Sequence, residues 1–73
     1  MTSLDEREFL KQLGLRIREV RQARGWTQDQ FAGKCDLHRT FIGSVERGER
    51  NVSILNLRLM TRVLRVKLSD LLG

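Results

Sequence analysis

Apolar residues recur along this chain at three- and four-residue spacing, and they nowhere alternate with polar residues for a useful length. That period lines apolar side chains along one stripe of a helix, so the pattern predicts an all-helical protein. Phe9, Leu10, Leu13, Ile17 and Val20 make the stripe of a first helix. Ser3 with Glu6 reads as its capping box, and Gly25 as the residue just past its end. Gly14 weakens this helix locally, as a glycine does at a close approach or a late start. Thr27 with Gln30 is a second capping box, on a short helix from Gln28 to about Lys34 whose buried side is Phe31, Ala32 and Cys35. Asp36 and Leu37 make a tight connection. A third short helix follows from about Arg39 to Arg47, with Ile42 and Val45 inward and Gly48 at its end. Ser53 caps a fourth helix that carries Ile54, Leu57, Met60 and Leu64 inward and continues to Val66. Ser69, Asp70, Leu71 and Leu72 form a last short turn of helix. The expectation is one all-α, compact five-helix domain over residues 1–73, with no internal repeat or linker.

Size and charge narrow the class. A chain of 73 residues buries only about 60% of its unfolded surface, so its core is marginal and dimerisation is one way to support it. The formal net charge is +5. Such a balance attracts polyanions, either nucleic acid or an anionic membrane surface, although it also serves plain solubility. No apolar run approaches the roughly 18 residues that span a bilayer. Asp5, Glu6 and Glu8 stand where a signal peptide would be positive, which places the protein in a cytoplasm. A single cysteine forms no internal disulfide.

The second and third helices carry the functional signal. Ala32 lets two backbones approach, Cys35 and Leu37 plug the corner, and Ile42 with Val45 docks the third helix. Two short helices joined this tightly make a helix-turn-helix, here about residues 28–47. At this point the chain resembles the Cro/repressor-type (XRE-like) helix-turn-helix DNA-binding domains of bacteria and phages. The resemblance rests on Ile17-Arg18 and Arg21 before Gly25, on Thr27-Gln28 and Phe31-Ala32, on Glu46 with Gly48, and on Leu64 to Val66 with Leu71-Leu72. Leu37 to Ile42 together with Val45 to Ser53 looks most like restriction–modification controller proteins. The chain departs from the family pattern in three places. Asp36 stands where Gly is common in the turn, and Arg65 where Gly usually ends the fourth helix, which costs about 1 kcal/mol if its φ is positive. Thr61 replaces a usual Ala.

The resemblance implies a base-contacting set of Arg39, Thr40, Phe41 and Ser44. The chemistry suits it. An arginine can hold guanine O6 and N7 together, a threonine can bond or touch a thymine methyl, and an aromatic face can meet the same methyl. For Phe41 an edge-of-core role competes with a base contact, and Gly43 allows close approach to DNA. Gln28, at the start of the second helix, and Arg47, Arg50 and Asn51, after the third, are the expected phosphate contacts. His38 is expected to cap the third helix or touch a phosphate. Arg16, Arg18 and Arg24 are expected to form a solvated, generally attractive face. Arg21 and Glu46 match an ion pair of the family that joins the first and third helices. Leu55, Leu59 and Val63 form a second stripe on the fourth helix which, extended by Leu68 and Leu72, reads either as a dimer interface or as a broader buried face.

The implied function is a sequence-specific, dimeric DNA-binding regulator, a controller that governs its own gene and an endonuclease gene from an inverted-repeat operator. Its implied partners are double-stranded DNA, a second copy and, for activation, RNA polymerase, with no membrane and no cofactor. A phage-type repressor or an antitoxin would use the same domain. A protein-interaction module acting as a coactivator bridge is a different class, and it would not need base-reading side chains. An enzyme is not expected. One His, one Cys and no Gly-rich phosphate loop leave neither a catalytic set nor a zinc site.

Overall fold

A computed structural model describes residues 4–72. Among them it contains five helices: α1 (Leu4–Ala23), α2 (Gln28–Cys35), α3 (Arg39–Glu46), α4 (Ile54–Leu64) and α5 (Leu68–Leu72). No strand occurs among the described residues. The capping box expected from Ser3 lies outside them. Among the described residues no helix is long and apolar enough to cross a membrane.

The core lies where the apolar stripes meet. Ile17 from α1, Phe31 from α2, Ile42 from α3, Met60 and Leu64 from α4 and Leu71 from α5 are fully buried. Thr27 caps α2 as its sequence signature requires. Its hydroxyl accepts from the Gln30 amide at 3.1 Å, and Gln30 Oε1 accepts from the Thr27 amide at 2.9 Å. Asp36 ends α2 in the left-handed region at φ 55°. The Leu37 amide then donates back to Ala32 O at 2.9 Å, which closes the helix and turns the chain directly into α3. Asp reaches this conformation at little cost because its short side chain is tolerated there.

Gly14 is a contact point. A Cβ on it would stand 2.3 Å from the carbonyl oxygen of Val45 and 2.6 Å from that of Glu46. The middle of α1 therefore rests on the backbone at the end of α3, which only glycine permits. Gly48 has φ 73°, and a Cβ there would stand 2.7 Å from Lys11 Cα. The chain leaving α3 thus packs on α1 as well.

Several sequence expectations change. Phe9, expected on the buried stripe of α1, is 47% exposed and lines an open groove with Asp5, Glu6, Leu10 and Asn51, whereas Leu13 and Ile17 are covered. Ile54, expected in the core, is 63% exposed at the first position of α4. The fourth helix stops at Leu64 rather than Val66, with Arg65 left-handed at φ 60°. The third ends at Glu46 with Arg47 as its cap, and the fifth begins one residue early, at Leu68. Thr61 is buried, and its hydroxyl donates to Arg58 O at 2.7 Å.

Arg16 and Arg24 are not a loose charged face. Arg24 donates through Nε and Nη2 to Leu64 O, at 2.9 and 2.6 Å, and so caps the end of α4. Arg16 Nη1 donates to Leu71 O at 3.0 Å. Arg16 on α1 and Arg24 just past its end thus satisfy carbonyls at the C-terminal ends of α5 and α4, where the helix dipole favours positive charge.

Candidate nucleic-acid interface

A buried ion pair fixes α3 relative to the rest of the molecule. Arg21 Nε donates to Glu46 Oε2 at 2.6 Å and Nη2 to Oε1 at 2.9 Å, and the two side chains are only 8% and 2% exposed. Arg21 Nη1 donates to Trp26 O at 2.7 Å, and Gln28 Nε2 donates to Glu46 Oε1 at 3.0 Å. The Arg21–Glu46 pair therefore ties α1, the loop before α2, α2 itself and α3 into one unit. Each charge is both paired and hydrogen-bonded, which is what makes burial of the pair tolerable.

His38 caps α3. Its Nδ1 accepts from the Thr40 amide at 3.1 Å, so the imidazole satisfies one of the amides orphaned at the helix start. The helical period then sorts α3 into faces. Ile42, Val45 and Glu46 are buried against the body. Arg39, Thr40, Gly43 and Arg47 share the opposite face. With Gln28 from α2 they line an open depression of about 220 Å³. Arg39, Thr40 and Arg47 are exposed. Among the described residues neither Arg39 nor the Thr40 hydroxyl has a hydrogen-bond partner. Arg47 is held only by an exposed pair, Nε to Glu49 Oε1 at 3.0 Å. Gly43 keeps the floor of the depression low, and the nearest atom to a Cβ there would be the flexible end of Arg47, at 3.1 Å.

The structure does not bring all the expected residues together. Ser44, expected to read bases, is only 9% exposed; its hydroxyl donates to Phe41 O at 2.8 Å and accepts from Arg50 Nε at 3.1 Å. Phe41 is half-buried, packed against the core, with the Arg50 guanidinium 5.2 Å from its ring centroid. Gln28 reaches the edge of the depression, but its amide nitrogen is committed to Glu46. Asn51 is exposed but lines a separate groove with Asp5, Glu6, Phe9 and Leu10. Two carboxylates there repel a phosphate.

Of the second stripe on α4, Leu55 is 72% exposed, whereas Leu59 and Val63 are half-buried against the core. On α5, Leu68 is half-buried and Leu72 is 37% exposed. The stripe is thus in part the broader buried face. On α4 and α5 the exposed large apolar residues are Ile54, Leu55 and Leu72; Phe9 and Leu15 on α1 are exposed as well. Trp26 had no role in the sequence reading. Its ring stacks on Phe31 at 6.3 Å and carries Lys34 Nζ 4.7 Å from its centroid, beside Arg24 and Arg65. The aromatic spacing of Trp26 and Phe31 and the i+8 cation were the available signals.

Known proteins resemble this chain in sequence and fold. A helix-turn-helix family model matches residues 17–71. The control protein C.BamHI of Bacillus amyloliquefaciens is 42% identical over 60 residues, covering 81% of this chain and 74% of its own length. The control protein C.SmaI of Serratia marcescens is 38% identical over 69 residues, covering 94% and 79%. The crystal structure of the restriction–modification controller protein C.AhdI from Aeromonas hydrophila superposes with a TM-score of 0.82 at 39% identity, covering 85% of this chain and 94% of that one.

Proposed function

The chain belongs to the helix-turn-helix family of DNA-binding transcriptional regulators, and from that premise we propose that it is the dimeric controller of a restriction–modification system. It binds an inverted-repeat operator and regulates its own gene and that of the endonuclease. The observation that carries this reading is the outer face of α3. Arg39, Thr40 and Arg47 stand exposed around Gly43, while Glu46 on the other side locks the helix in place.

Arg39 and Thr40, at the start of α3, are the base readers. A recognition helix enters the major groove with its N-terminal residues toward the base edges. Arg47 and Arg50 contact phosphates, and Gln28 supports Glu46 at the edge of the same surface. Neutralising phosphates makes affinity fall steeply with salt. A dimer sets two recognition helices about 34 Å apart, one turn of DNA, and so reads an inverted repeat. Ile54, Leu55 and Leu72 supply apolar surface for the second copy, with Leu59, Val63 and Leu68 beneath it. The regulator works in the cytoplasm on the nucleoid. At low occupancy one dimer recruits RNA polymerase, and a second dimer beside the promoter represses.

Selection of bound duplexes from a random pool tests the reading. The expected product is an inverted repeat with half-sites one turn apart, and Arg39→Ala relaxes one position in each half. Recovery of no preferred sequence would instead favour a protein-interaction module.

A further inference from the structure

Phe41 projects from α3 about 100° beyond Thr40 and away from the Gly43 depression. Its ring is half-buried, so only part of it faces outward. What it does meet is Arg50, whose guanidinium stands 5.2 Å from the ring centroid. Arg50 has a second tether. Its Nε donates to Ser44 Oγ at 3.1 Å, and that hydroxyl spends its own proton on Phe41 O at 2.8 Å. The hydroxyl lone pairs are thereby turned toward Arg50. A guanidinium resting on a ring and held by one acceptor has a fixed plane. Among the described residues its two terminal nitrogens have no acceptor, so a planar fork of donors is left facing outward.

Arg50 lies in the loop between α3 and α4. A free arginine on a loop would lose its rotamer freedom on meeting an anion. One already fixed in plane keeps that cost small and presents the fork that matches a phosphate. We propose that Phe41 and Ser44 are positioning residues that hold Arg50 for a DNA phosphate, and that Phe41 acts on DNA through Arg50 rather than by touching a base. This rests on the DNA-binding reading above.

The test uses the selected operator and an unrelated duplex of equal length, titrated by fluorescence anisotropy across a range of salt. The proteins are wild type, Phe41→Leu, Phe41→Tyr, Ser44→Ala, Arg50→Ala and the Phe41→Leu/Arg50→Ala double variant. Phe41→Leu and Ser44→Ala are expected to weaken both duplexes equally, by about two- to fivefold, and to lower the salt slope by up to about one. Phe41→Leu weakens binding no further once Arg50 is Ala, and Phe41→Tyr, which keeps the ring face, binds as wild type. In the free protein the Arg50 Nε–H resonance is expected to shift in Phe41→Leu and Ser44→Ala. Thermal unfolding identifies a variant that does not fold, and Ser44→Ala then carries the test because it removes one hydroxyl only. Loss confined to the operator, or a Phe41→Leu effect that persists without Arg50, makes Phe41 a base reader and overturns the assignment. Wild type that binds neither duplex overturns the DNA-binding reading and the assignment together.

Discussion

Glu46 stands one residue from the exposed Arg47 yet shows almost nothing to solvent, and that contrast separates fold from function within α3. Removing its carboxylate strands the Arg21 guanidinium in a dry site and leaves the Gln28 amide without its acceptor. Loss of one partner of a buried pair costs about 3–5 kcal/mol, a large share of what a small domain holds. Glu46→Ala is therefore expected to unfold at far lower urea concentration than wild type, as followed by circular dichroism. Cys35 makes a second residue-scale prediction. Burial pushes its thiol from the ordinary 9.0 up to about 11. The raised value means that the folded state holds its proton while the unfolded state has lost it. The stability this contributes is present in full below pH 9 and fades as pH rises from 9 to 11. Replacing Cys35 by Ala is expected to remove that part of the alkaline fall in unfolding free energy, seen as a smaller loss between pH 9 and 11 than in wild type. At this scale residue types were legible where a partner was implied by the resemblance, as for Arg21 and Glu46. Arg16, Arg24 and Ser44 were not, because the destination of a long or buried polar side chain depends on elements distant in sequence. Arg24 meets α4 some 40 residues away.

The elements themselves were largely legible, since capping boxes, apolar period and left-handed stops act within a few residues. Thr27, His38, Ser53 and Asp36 mark ends where the structure has them, whereas α4 stops at Leu64, short of the expected Val66. Phe9 and Ile54 were misplaced for one physical reason. A stripe gives the direction of a side chain but not whether a neighbouring element covers it, and Phe9, in the second turn of α1, and Ile54, at the first position of α4, are left exposed. Arg65 gives the element-scale prediction. It sits at φ 60° with no glycine to relieve it, and the left-handed conformation costs a residue with a Cβ about 1 kcal/mol. Arg65→Gly is expected to raise the thermal midpoint by several degrees. Asp36→Gly should gain less, because Asp already tolerates this conformation.

At the scale of the whole molecule, charge and exposed apolar surface divide the work. A formal net charge of +5 draws the domain to DNA from any direction, and on the proposed reading the outer face of α3 makes that attraction specific. Ile54, Leu55 and Leu72 are exposed apolar residues, and on the proposed reading they serve a partner copy. Charge and size were readable in the composition. Which leucines stay uncovered was not, because Leu59 and Val63 share the period of Leu55 and differ only in what packs against them. The central claim is that the Gly43 face lies against DNA, and Gly43→Glu tests it most directly. A Cβ there meets only side-chain ends, Arg47 Nη1 at 3.1 Å and Gln28 Oε1 at 3.5 Å, and replacing a helical glycine removes a cost of about 0.5–1 kcal/mol. The decisive measurement is an equilibrium titration of the selected operator with Gly43→Glu, paired with its thermal midpoint. The expected result is a domain at least as stable as wild type whose operator affinity has fallen by about a hundredfold or more, because bulk and negative charge now stand where the groove must approach. A folded Gly43→Glu protein that binds the operator as tightly as wild type would contradict it.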